Sequence, residues 1–90
     1  MKISDYLSTG AENGRKLQDL VSLTGLPERT VRQLIKTERE AGTPILSDNF
    51  SGYFLMSTPA EARRFTRSMR HRAREILDTA AAVEKAAGVE

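Results

Sequence analysis

Gly25 and Pro27 stand two residues apart between two stretches of helical apolar spacing, and this punctuation constrains the fold more than any other feature of the chain. On the N-terminal side, Leu17, Leu20, Val21 and Leu23 line one helical face, which predicts a helix over residues 15–24. Gly25 is expected to end it in the left-handed conformation that glycine reaches without strain. On the C-terminal side, Val31, Leu34 and Ile35 repeat the i, i+3, i+4 spacing. Pro27 suits the first helical position, where its missing N–H would lack an acceptor in any case. Gly42 and Pro44 close this second segment, so a helix is expected over residues 27–41, about three residues after the first. Upstream, Ile3, Tyr6 and Leu7 predict a short helix stopped by Ser8-Thr9-Gly10, with a polar loop over residues 11–14.

The segment after Pro44 sets the subclass. Ile45-Leu46-Ser47 is a short apolar run, Asp48-Asn49-Phe50-Ser51-Gly52 is turn chemistry, and Tyr53-Phe54-Leu55-Met56 is rich in strand formers. A β-hairpin directly after a helix-turn-helix is a wing. Thr58-Pro59-Ala60-Glu61 then opens a further helix, with Thr58 and Glu61 able to form a capping box and Pro59 at the first position. Nothing interrupts that helix before Gly88. The expected fold is mainly α with a small β-hairpin: a winged helix-turn-helix over residues 1–57, then a long amphipathic C-terminal helix over residues 58–90.

Within this frame, residues 20–55 resemble the winged helix-turn-helix found at the N-terminus of biotin-operon repressors. The resemblance is carried by Leu20-Val21, Thr24-Gly25-Leu26, Arg29-Thr30-Val31-Arg32, Ile35, Ala41-Gly42, Pro44-Ile45 and Gly52-Tyr53-Phe54-Leu55. The run from Arg67 to Ile76 looks like small winged-helix proteins encoded by phages and prophages of Gram-positive bacteria. The resemblance implies that the helix after the turn reads the DNA major groove, through Glu28, Arg29, Thr30, Arg32, Gln33 and Lys36. Spacing alone leaves Arg29, Arg32, Gln33 and Lys36 outward, opposite Val31, Leu34 and Ile35. Arginine to guanine and glutamine to adenine are pairings that groove chemistry favours, and Lys36 is placed for phosphate.

Two positions depart from the pattern. Glu38 lies where the i+4 step from Leu34 calls for an apolar residue. If buried it needs a partner, expected to be an arginine of the last helix, because a lone buried carboxylate is costly. The hairpin carries Asp48 and no lysine or arginine, which weakens the backbone contact that the resemblance implies. Asn49 and Ser51 remain as donors there, and Phe50 serves either a partner or the hairpin itself.

On the last helix Ala62, Phe65, Met69, Ala73, Ile76, Ala80, Val83 and Ala87 share one face at about 100° per residue. From Met69 onward they alternate four and three residues apart, as coiled-coil seam positions do. A homodimer through residues 73–87 is expected, against the alternative of a helix that folds back or frays. Ten of the fourteen cations are arginine and six of those lie between Arg63 and Arg74. Arg63, Arg67, Arg70 and Arg74 form a stripe that tracks DNA phosphates, pairs with acidic residues of the body or a partner, or is merely solvated.

The net charge of +2 decides nothing by itself. The absence of cysteine excludes disulfides and thiolate metal sites. His71 stands among arginines, and neither a phosphate-binding glycine loop nor a paired acid and base is evident, so no enzymatic activity, metal or cofactor is expected. No apolar run approaches the roughly 18 residues of a membrane span. The N-terminus lacks the apolar core of a secretory signal, so a cytoplasmic location is expected. The leading functional expectation is double-stranded DNA binding by a small transcriptional regulator or phage accessory protein. The alternative is a winged-helix interaction or assembly module with a phage or host protein partner. RNA is disfavoured by the few aromatics available for stacking.

Overall fold

Gly25 adopts the left-handed conformation (φ 71°, ψ 10°) and its N–H bonds to the Val21 carbonyl at 2.9 Å, which ends helix α1 at Leu17–Thr24. Three residues later helix α2 begins, spanning Glu28–Glu40. Pro27 stands one position before the helix, with ψ 151°, and its carbonyl accepts the Val31 N–H at 3.0 Å. Its fixed φ thus serves the cap rather than the first turn. The computed structural model describes residues 1–89. Besides these helices it contains strands β1 (Ile45–Asp48) and β2 (Gly52–Leu55) and helix α3 (Pro59–Ala87), with short 3-10 turns at Ile3–Tyr6 and Ala11–Asn13. The fold is mainly helical, with one antiparallel hairpin and a long C-terminal helix.

The expected first helix is only the 3-10 turn, and α1 starts two residues later than its spacing indicated. The reason is that Arg15 belongs to the sheet edge. Its N–H donates to the Tyr53 carbonyl at 2.8 Å and its carbonyl accepts the Tyr53 N–H at 2.7 Å. Further along β2, the Leu55 N–H donates to Ser8 O and the Gly10 N–H to Leu55 O, both at 2.9 Å. The outer edge of β2 is therefore satisfied by backbone from residues 8–15, which removes an open template for pairing. That approach is close: a Cβ on Gly14 would lie 2.0 Å from the Ser51 carbonyl, and one on Gly52 (φ 80°) 2.3 Å from the Arg15 carbonyl. In the hairpin Leu46 faces Phe54 and Ile45 faces Leu55.

The main core sits beneath the N-terminal turn, between the helix pair and the inner side of the hairpin, and Leu46 and Phe54 are buried outside that cluster. Ile3, Leu20, Val31, Ile35 and Ile45 are fully buried in the main core, with Leu7, Leu17, Val21, Leu26, Leu34, Tyr53 and Leu55 packed around them. Each such aliphatic side chain contributes about 1.5–3 kcal/mol of burial. None of these residues comes from α3.

Glu38 is buried, as its position required, but its partner differs from the expected arginine. One carboxylate oxygen accepts the Ile3 N–H at 2.6 Å and the other the Ser4 N–H at 3.0 Å. A turn has unpaired N–H groups at its start, and the carboxylate satisfies two of them while the Ile3 side chain enters the core. Among the described residues no arginine of α3 forms a salt bridge with Glu38.

The arginine that links α2 to the rest is its neighbour, Arg39. Its Nε donates to Ile45 O at 2.7 Å and its Nη2 to Ser47 Oγ at 3.3 Å, capping the free edge of β1. The guanidinium carbon lies 4.8 Å from the Phe65 ring centre and 5.9 Å from that of Tyr53, both within cation–π range. Burial lowers the Arg39 pKa from its ordinary value, with the phenol of Tyr53 opposing that shift. α3 is thereby held at its N-terminal end. There the Thr58–Glu61 capping box is formed, and Glu61 also accepts the Ala11 N–H at 3.3 Å.

Candidate nucleic-acid interface

Because Val31, Leu34, Ile35 and Glu38 turn inward, the opposite side of α2 presents Arg29, Gln33 and Lys36 as an exposed ridge, with Arg32 exposed beside it. Among the described residues no other element covers this ridge. Thr30 is half-buried and contributes little free surface. Glu28 is exposed and not free: it pairs with Arg32 Nη2 at 3.0 Å and accepts from Gln18 Nε2 at 3.4 Å. The pair is solvent-exposed, so it contributes little to stability. It nevertheless sets what the Arg32 guanidinium must leave before it can engage any other group.

At the hairpin tip Asn49 and Phe50 are exposed, and Phe50 retains 91% of its accessible surface. Ser51 is half-buried and its N–H is used by Asp48 Oδ1, at 2.5 Å, alongside that of Phe50 at 2.8 Å. These bonds, Ser51 first, hold the Asp48 carboxyl below the usual carboxylate range. The cation missing from the hairpin's own sequence comes from elsewhere. Lys16 Nζ donates to the carbonyls of Asn49 and Phe50, placing an exposed ammonium at the tip. Sequence reasoning missed it because Lys16 lies more than thirty residues away and arrives only through the Arg15–Tyr53 bridge. Arg39 was missed too, although its i+4 step from Ile35 puts it at the rim of the buried face.

A cleft of about 640 Å³ separates α2 and the hairpin from the first half of α3. Arg32, Arg39, Arg64 and Arg72 line it together with Phe65 and Met69. The cations that α3 brings beside α2 are thus Arg64 and Arg72. Arg63, Arg67, Arg70 and Arg74 are exposed and none lines the cleft. At about 100° per residue Arg63, Arg67 and Arg74 fall roughly opposite Phe65, the side chain that docks the helix, and Arg70 lies nearer, flanking the apolar face. The stripe and the α2 ridge are not brought together within one chain.

Beyond Phe65 every described residue of α3 is exposed. The seam positions Met69, Ile76 and Val83 are 44%, 62% and 62% exposed, and Leu77 beside them is 67% exposed. Ala73, Ala80 and Ala87 lie between them, equally uncovered. The helix does not fold back; at 1.5 Å per residue its 29 residues extend roughly 43 Å. Among the described residues no cluster of three His, Cys, Asp or Glu side chains is placed to hold a metal ion. Nor, among the described residues, is any helix long and apolar enough to cross a membrane.

Comparison with protein-family models, curated proteins and solved structures finds no match.

Proposed function

We propose that this chain binds double-stranded DNA as a winged helix-turn-helix, acting as a small transcriptional regulator or phage accessory protein in the cytoplasm. The observation that carries the reading is the uncovered ridge of Arg29, Gln33 and Lys36, with Arg32 alongside, on the second helix of a tightly turned pair. A helix of this diameter fits the major groove, where a guanidinium pairs with guanine and a carboxamide with adenine. Lys36, a turn further along, suits a phosphate, and Lys16 at the hairpin tip suits the flanking backbone. Arg64 and Arg72 add positive charge to the cleft that Arg32 also lines.

Selection of bound sites from random duplex DNA, followed by a salt titration on the enriched site, tests the proposal. The logarithm of the affinity should fall with that of salt concentration by about 0.9 per phosphate neutralised. Arg32→Ala should relax preference at one base pair by roughly 1–3 kcal/mol. Lys36→Ala should weaken all sites alike and flatten the salt slope. If neither substitution alters affinity, the groove assignment is wrong. A second reading, a protein-interaction or assembly module, is favoured by one observation: Phe50 stands almost fully exposed at the hairpin tip. Absence of salt-dependent binding to any duplex would leave that reading in place.

A further inference from the structure

We infer that α3 pairs antiparallel with α3 of a second copy of this chain, in a single register centred between Ile76 and Ala80. The inference does not depend on DNA binding. It starts from an uncovered face. No residue of α3 is buried, and the large apolar side chains Met69, Ile76, Leu77 and Val83 stand in water along one side of the helix. A contiguous exposed apolar strip of this kind marks an interaction surface.

The seam residues name the partner. Met69, Ala73, Ile76, Ala80, Val83 and Ala87 alternate strictly between large and small. A parallel, in-register pair would set alanine against alanine in one layer and isoleucine or valine against itself in the next, leaving gaps and bulges in turn. Reversing one helix removes both faults. With Ile76 opposite Ala80 of the partner subunit, Met69 meets the partner's Ala87 and Ala73 meets the partner's Val83. Every layer then joins one large and one small side chain, as dense packing requires. The alanines also allow the helix axes to approach toward the short end of the usual 8–10 Å range.

The flanking charges select the same arrangement. In this register Arg70 faces the partner's Glu84 on both sides of the two-fold axis, and Leu77 faces the partner's Leu77. The parallel alternative would set Arg72 against the partner's Leu77 and Thr79 against the partner's Glu84, with no charge pair at all. Size and charge complementarity, two independent features of the sequence on this face, therefore agree on a second copy and on its direction.

The chain has no cysteine, so single cysteines report the geometry in the otherwise intact protein. Sedimentation at tens of micromolar should give a dimer. Under mild oxidation a mixture of Ala73→Cys and Val83→Cys chains should crosslink to each other, while Ala73→Cys alone should not. Arg70→Glu should weaken the dimer roughly tenfold, as loss and reversal of two exposed pairs predicts. Adding Glu84→Arg should restore it, a rescue that a merely structural defect would not show. A monomer with intact helicity overturns the proposal and leaves the face to a different protein. Efficient crosslinking of Ala73→Cys to itself overturns the antiparallel direction.

Discussion

Adjacent residues on α2 do opposite work. Glu38 points inward and ends on two backbone amides of the N-terminal turn, whereas Arg39 points sideways to the β1 edge and to Phe65. Removing the carboxylate orphans two N–H groups beneath a buried Ile3, so Glu38→Ala should destabilise the protein by about 2–3 kcal/mol. Glu38→Gln retains one acceptor and should lose less; urea denaturation of both variants measures the difference. A second residue-scale prediction concerns Glu28, which holds Arg32 in the free protein. On the proposed DNA-binding reading, Glu28→Gln removes a negative charge beside the α2 ridge and releases the guanidinium. Affinity for duplex DNA should rise about two- to fivefold by fluorescence anisotropy; unchanged or weaker binding would show that Glu28 is not a brake. The burial of Glu38 was legible in the sequence because a wheel reports which face a residue occupies. Its partners were not, because a backbone N–H more than thirty positions away carries no side-chain signature.

At the scale of elements, the ends proved more legible than the joins. Gly25, Gly88 and the Thr58–Glu61 box act where local chemistry put them, since each is decided within one turn of chain. The sheet edge was hidden, because the pairing of Arg15 with Tyr53 depends on two glycines that allow backbones to touch. The same joins govern the response to acid. Ser57 N–H and hydroxyl, then Ala11 N–H and Thr58 N–H, hold the Glu61 carboxyl below its ordinary pKa, as Ser51 and Phe50 do for Asp48. Both groups are depressed in the folded state. Their stabilisation is therefore complete above the unfolded values of about 4 and is lost as pH falls through the lower folded ones. Thermal melts should have a steady midpoint above about pH 5 and a falling one below about pH 4. Asp48→Asn should shrink that fall; an unchanged acid limb would show that the hairpin bonds contribute nothing to it.

For the molecule as a whole, the order of elements could be read from the chain, but the attachment of α3 could not. Periodicity showed an apolar face longer than one small body can cover, without saying whether the helix would bend back over it. The structure leaves it standing out, within an envelope of 48 × 31 × 25 Å. The arginine stripe, for which the sequence left three roles open, stands away from the cleft between α2 and α3, on the side of the helix away from Phe65.

If α3 pairs with a second copy as inferred above, protein concentration acts on the exposed stretch beyond Phe65, while the cluster around Ile3, Leu20, Val31, Ile35 and Ile45 takes no side chain from that stretch. Heating should therefore give two events. Loss of helical circular dichroism from the projecting arm should move to higher temperature as the sample is concentrated. The near-ultraviolet signal of Tyr6 and Tyr53, both packed against the core, should collapse at a temperature indifferent to dilution. A single concentration-independent transition would mean that arm and head melt as one body.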